Sequence, residues 1–182
     1  MSFYSSSMTT TETPATAVDA ERADILETLT QHRYLFLHTV EGLTDEQAAR
    51  RTTVSELCLG GLVKHVTFVE AGWAEFVVRG TVATETSGDD WTERAESFRM
   101  LPGETLAAIV ERFGEVTRRT DELLASLPDL NLSHALPEAP WFEPGARWTA
   151  RRVFLHLIAE MTQHAGHADI LREAIDGQKS MG

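Results

Sequence analysis

Four stretches of this chain space their large apolar residues at intervals of three, four and seven, and this regularity constrains the fold more than any other feature. Leu106, Ile109, Val110, Phe113, Val116, Leu123 and Leu124 show it most plainly. An α-helix turns by about 100° per residue, so such positions collect on one side. The same period links Ile25, Leu29, His32, Phe36 and Val40, then Cys58, Leu62, Val69, Gly72, Trp73 and Phe76, then Val153, Leu157, Met161, Ala168, Leu171 and Ile175. The two-residue alternation of a half-buried strand is scarce. Four long helices, each with one apolar stripe, bury those stripes against one another, which predicts an all-α, up-and-down four-helix bundle.

Stop and start signals divide the chain further. Residues 1–18 are dense in Ser, Thr and Ala and lack the large apolar side chains that offset the entropy of ordering, so they read as a loose tail. The first helix begins at Asp19, with Gly42 past its end. Thr44 and Gln47 have the spacing of a capping box at the head of a short helix. A second long helix runs from Leu59 to Arg79 and stops at Gly80. The polar stretch from Thr81 to Pro102 reads as a loop holding one short helical piece, and a third long helix covers roughly Glu104 to Ser126. "LPDLNLSHALPEAPWFEPGARW" is too rich in proline for one regular element and forms a long irregular connection. Thr149 is a good N-cap for a last helix that continues to Asp176 before Gly177. Residues 19–177 thus read as one domain, and 178–182 as a short tail.

Charge and cysteine content exclude several classes. The formal net charge is -12 and the 16 basic residues form no run, which argues against nucleic acid and anionic membrane surfaces as partners. No apolar stretch approaches the roughly 18 residues of a membrane span. Cys58 is alone and no secretory signal pattern is visible, so a cytoplasmic protein is expected.

The last helix holds an anomaly. "HLIAEMTQHAGHADILREAIDG" puts Glu160 and His164 within or beside the apolar stripe, four residues apart, so both side chains leave adjacent turns of one face. His156 and His167 flank that face on the order of 16 Å apart along the axis, too far for all four groups to hold one ion. His65 sits in the stripe of the second long helix. Taken alone, a neutral imidazole there reads as a satisfied core residue. A carboxylate in the same core is costly unless paired, protonated or bound to a cation. His65, Glu160 and His164 together suit a divalent metal such as zinc and leave coordination positions open for water or substrate. Trp141, Phe142, Arg147 and Trp148 in the connection before the last helix read as the lip of a pocket, with Arg147 able to attract a carboxylate.

"SELCLGGLVKHVTFVEAGW" and "HLIAEMTQHAGHADILREAIDG", with "EGLTDEQAARR" after the first helix, resemble the DinB-like metal-binding four-helix bundles, in particular the branch of mycothiol-dependent transferases. The resemblance spans about residues 20 to 177. It implies one metal histidine at His65 and a ligand pair at Glu160 and His164. Glutamate at 160 is similar to mycothiol-dependent maleylpyruvate isomerase, where many other members have histidine.

The expected function is therefore S-transfer, or thiol-assisted isomerisation if the electrophile is an unsaturated diketo acid. A bound divalent cation, most simply zinc, lowers the pKa of a thiol cosubstrate, which attacks a small electrophile. That the thiol is mycothiol is implied by the resemblance alone. His156 and His167 are expected to position a proton or a water, and Arg147 and Trp148 to contact the cosubstrate. Two alternatives stay open: a hydrolase in which the ion activates water, and a non-enzymatic bundle stapled by metal. Apolar residues outside the main stripe of the last helix, Phe154, Leu155, Ile158 and Ile170, make a homodimer compatible with the pattern.

Overall fold

The computed structural model describes residues 14–83 and 90–181. Helix α1 spans Pro14–His38, α2 Asp45–Ala49, α3 Leu59–Arg79, α4 Asp90–Ser97, α5 Leu106–Ser126 and α6 Ala150–Asp176. A 3₁₀ turn covers Gly80–Ala83, and the short strands β1 (Ser133–Ala135) and β2 (Arg147–Thr149) pair antiparallel. The chain is thus an all-α bundle, as expected. Among the described residues no helix is long and apolar enough to cross a membrane.

The boundaries follow from local chemistry. Helix α1 starts at Pro14, earlier than Asp19, since proline has no amide hydrogen to leave unsatisfied in a first turn. The rest of the expected tail, residues 1–13, lies outside the described residues. The Thr44 hydroxyl accepts from the Gln47 amide while the Gln47 side chain accepts from Thr44, completing the capping box. Thr105 caps α5, which begins at Leu106, two residues after Glu104, and Thr149 caps α6, which ends at Gly177 in the left-handed conformation. The hairpin was not anticipated, because three residues per strand are too few to show alternation.

Around the bundle the long helices contact in the order α1, α6, α3, α5 and back to α1. Arg151 at the start of α6 pairs with Glu21, and Arg172 near its end donates to the carbonyls of Thr39 and Glu41, so α1 and α6 run parallel. Helix α3 runs against α6, and α5 runs with α3, giving an up, down, down, up sequence. Strict alternation is avoided because the segment containing α4 returns along α3 before α5 begins: Lys64 donates to the carbonyls of Glu96 and Arg99. Gly61 makes this possible, since a Cβ there would lie 2.0 Å from the Phe98 carbonyl oxygen.

Two apolar clusters fill the bundle. One contains Phe36, Leu62, Val66, Phe113 and Met161, and the other Leu29, Phe76, Leu124, Phe154 and Leu157. Each such side chain contributes about 1.5–3 kcal/mol on burial. On every long helix a polar residue falls between the two: Arg33 on α1, Glu70 on α3, Asp121 on α5 and Glu160 on α6. Arg33 donates to Glu70 at 2.5 Å and to Asp121 at 2.7 Å. The buried face of α1 therefore passes through Arg33, not through the expected His32, with two carboxylates compensating the guanidinium.

Candidate functional site

His65 projects from the middle of α3, and Glu160 and His164 from consecutive turns of α6, which runs the other way. One ligating atom from each lies within 4.8 Å of the others, and this is the one such group of three among the described residues. His65 is 2% exposed, whereas the Glu160 side chain is 27% exposed, so the carboxylate reaches solvent and the imidazole lies behind it. Glu160 stands between two rings: Oε1 is 3.4 Å from Nε2 of His156, and Oε2 is 3.4 Å from Nε2 of His164. Both distances are long for a charge-assisted hydrogen bond, normally about 2.7–2.9 Å. The Glu160–His164 distance matches the separation of roughly 3.4 Å between two atoms each about 2.1 Å from one tetrahedral ion. The donor set of two imidazoles and a carboxylate therefore fits a divalent cation.

Residues from the returning segment fix the orientation of His65. The Ser97 hydroxyl gives its one hydrogen to the Arg94 carbonyl at 2.6 Å, so toward Nδ1 of His65, 3.0 Å away, it can only accept. That places the proton on Nδ1 and leaves the Nε2 lone pair free to face the cluster, as metal-binding histidines require. The Phe98 ring stacks on the imidazole at 3.7 Å between centroids and restrains its rotation. On α6, Nδ1 of His167 lies 3.5 Å from Nδ1 of His164, the side opposite Glu160. His167 is thus a neighbour of His164 and not a fourth member of the cluster.

Burial, with the charges of His164 and Arg94, pushes the His65 pKa down to about 4 against the opposing pull of Glu160. Burial lowers His156 as well, again opposed by Glu160. The neighbouring His164 imidazole holds the Glu160 carboxyl below the usual carboxylate range despite burial, helped by the charges of His156 and His65. Near pH 7, then, His65 is neutral and Glu160 ionised, the protonation state in which each can ligate a metal.

Glu160 and His156 open onto a cleft of about 1630 Å³ between α3, α5, α6 and the segments before α5 and α6. Beyond His156 the wall is aromatic. The Trp73 and Trp148 rings stack at 4.7 Å, and the His156 ring sits edge-on to them at 5.1 and 5.0 Å. The hairpin presents this wall: His134 opposes Trp148 in the strand register and donates from Nε2 to the Val77 carbonyl. Gly80, at a φ of 66°, leaves room for the His134 ring, which a Cβ would meet at 2.7 Å.

Of the residues singled out in the sequence, the structure gathers His65, Glu160 and His164, sets His156 beside them, and puts Trp141, Phe142 and Trp148 on the cleft. Arg147 is elsewhere: it is exposed and donates to the Ser133 carbonyl across the hairpin, and it does not line the cleft. Pairing of β2 with β1 directs alternate side chains to opposite faces, so Trp148 faces the cleft and its neighbour cannot. His32 does not line the cleft either. Cys58 is buried ahead of α3 and its thiol points to the Phe98 carbonyl at 3.9 Å. Sequence reasoning missed Ser97, Phe98 and Arg94, whose relation to His65 exists only once α4 folds back on α3. It missed Glu70 also, although a carboxylate within an apolar helix was a visible signal.

A family model described as mycothiol-S-transferase matches residues 24–177 of the chain. No curated protein matches it significantly.

Proposed function

Since the chain belongs to the DinB-like mycothiol-S-transferase family, we propose that it is a metal-dependent enzyme that joins mycothiol, through its sulfur, to a small electrophile. The observation that supports this most is the convergence of His65, Glu160 and His164 beside a cleft with room for more than one ligand. The ion proposed is zinc, whose preference for nitrogen and oxygen donors these residues meet. A divalent cation lowers the pKa of a thiol bound to it, which supplies thiolate near neutral pH.

The chain's own groups do the rest. His65 and His164 contribute imidazole nitrogen, and Glu160 contributes the negative charge that keeps the cation in place. Ser97 and Phe98 hold the His65 ring in one tautomer and one orientation. Nε2 of His156, neutral near pH 7, accepts the proton of the incoming thiol and hands it to water in the cleft. Trp73 and Trp148 keep bulk water from one side of the sulfur and so preserve its nucleophilicity.

The test uses zinc-loaded protein with mycothiol and a panel of haloaromatics and epoxides. Loss of thiol in step with loss of electrophile is the expected result. Conversion that proceeds equally well with no thiol present would replace this reading with hydrolysis by metal-activated water.

A further inference from the structure

The cleft has two chemically different ends. Where α4 and the start of α5 form it, the polar wall residues are Lys64, Arg94, Glu96, Glu104 and Thr105, beside Leu101. At the other end it is mainly aromatic, with Trp73, Trp141, Phe142 and Trp148 beside Pro137, Glu138 and Pro140. The indole of Trp141, 64% exposed, stands at the rim, and the Phe142 ring meets Trp148 edge-on at 5.8 Å. Glu160 lies between the ends. His156, 3.4 Å from its carboxylate, touches both stacked indoles, so the aromatic wall starts one side chain from the candidate metal ligands. The volume of about 1630 Å³ exceeds the roughly 300–1,000 Å³ of pockets that hold one drug-sized ligand, so the cleft has space beyond a single ligand.

We propose that the aromatic end is the electrophile subsite and that the preferred electrophiles are planar aryl or conjugated compounds, with the hydroxyl-rich thiol lying along the charged end. This rests on the thiol-transfer reading. Indole and phenyl faces favour offset or edge-on contact with another π-system. The many hydroxyls of a sugar–inositol thiol need hydrogen-bonding partners, and Arg94, Glu96 and Thr105 are at the opposite end. The two ligands then meet at Glu160, with the sulfur facing the ring carbon to be attacked. With an aryl halide, the sulfur–carbon bond forms, the carbon–halogen bond breaks, the halide leaves with the bonding pair and the thiol proton passes to solvent.

Two measurements on the full chain test the assignment. In the first, 1,3-dinitrobenzene, an aryl probe that does not react, is titrated against tryptophan fluorescence. Saturable quenching is expected, weakened roughly two- to tenfold in Phe142→Ala, with circular dichroism melts confirming that the variant is folded. In the second, KM is measured with mycothiol for 1-chloro-2,4-dinitrobenzene and for the aliphatic iodoacetamide. Phe142→Ala and Trp141→Ala should raise KM for the aryl substrate by a similar factor and leave KM for iodoacetamide and for mycothiol in place. Equal rises for both electrophiles, a rise confined to mycothiol, or quenching that never saturates would overturn the assignment. If neither electrophile consumes thiol, thiol transfer itself fails, while the probe titration still decides whether the wall binds aryl rings.

Discussion

Ser97 accepts a hydrogen bond from Nδ1 of His65 because its own hydrogen is committed to the Arg94 carbonyl. A residue 32 positions away in sequence thereby chooses the tautomer of a candidate metal ligand. Ser97→Ala should weaken zinc binding by about 10–100-fold, read by competition with a chromophoric chelator, while Ser97→Thr retains most of the affinity. Affinity unchanged in the alanine variant would show that Phe98 stacking alone orients the ring.

Gly61 keeps α4 and its tail against α3. Gly61→Ala places a methyl group 2.0 Å from the Phe98 carbonyl oxygen, a backbone atom that cannot rotate away. The expected cost is about 1–3 kcal/mol in denaturant unfolding, accompanied by weaker metal binding as Ser97 shifts. Gly114→Ala, in open space on α5, is the contrasting change. It should stabilise the protein by about 0.5–1 kcal/mol and leave metal affinity unaltered.

The Arg33–Glu70 pair lies inside the bundle with Asp121 at its edge, and Nε of Arg33 has no partner. Burial raises the Glu70 pKa, opposed by the charge and hydrogen bond of Arg33. Glu70→Ala leaves a buried guanidinium poorly compensated and should cost about 3–5 kcal/mol. Replacing both residues, as Arg33→Met with Glu70→Leu, should recover most of that loss in the same chemical denaturation experiment. A double variant as unstable as the single one would mean that this polar layer is needed for the fold itself.

Metal-free protein should lose stability as the pH falls. His65 is pushed down to about 4 in the folded chain, against an ordinary value of 6.5. Between those values the unfolded chain binds a proton that the folded one excludes, so stability decreases as pH drops from 6.5 toward 4 and is independent of this group above 6.5. The loss amounts to up to about 3 kcal/mol. Melting curves at pH 7.5 and 4.5 check it, and the difference between them should shrink in His65→Gln.

Much of this was legible in the sequence because it is local. Caps at Thr44 and Thr149, the stop at Gly80 and the helical periods depend on neighbours a few residues away. Glu160 and His164 stood out because four residues of helix put two costly groups on an apolar face. The remainder depends on pairings that no local pattern encodes. Ser97 acquires its role from the return of α4 along α3, Arg33 enters the core because Glu70 and Asp121 await it there, and Arg147 turns to Ser133 because β2 pairs with β1. The reversal of α5 relative to strict alternation has the same origin, a connection long enough to run back along its own helix.

Metal content tests the central claim most directly. Elemental analysis of the protein purified after equilibration with zinc should give one ion per chain, and His65→Ala and Glu160→Ala, both still folded by circular dichroism, should each lose it. Stoichiometric metal retained in both variants, or none in the parent protein, would contradict the account.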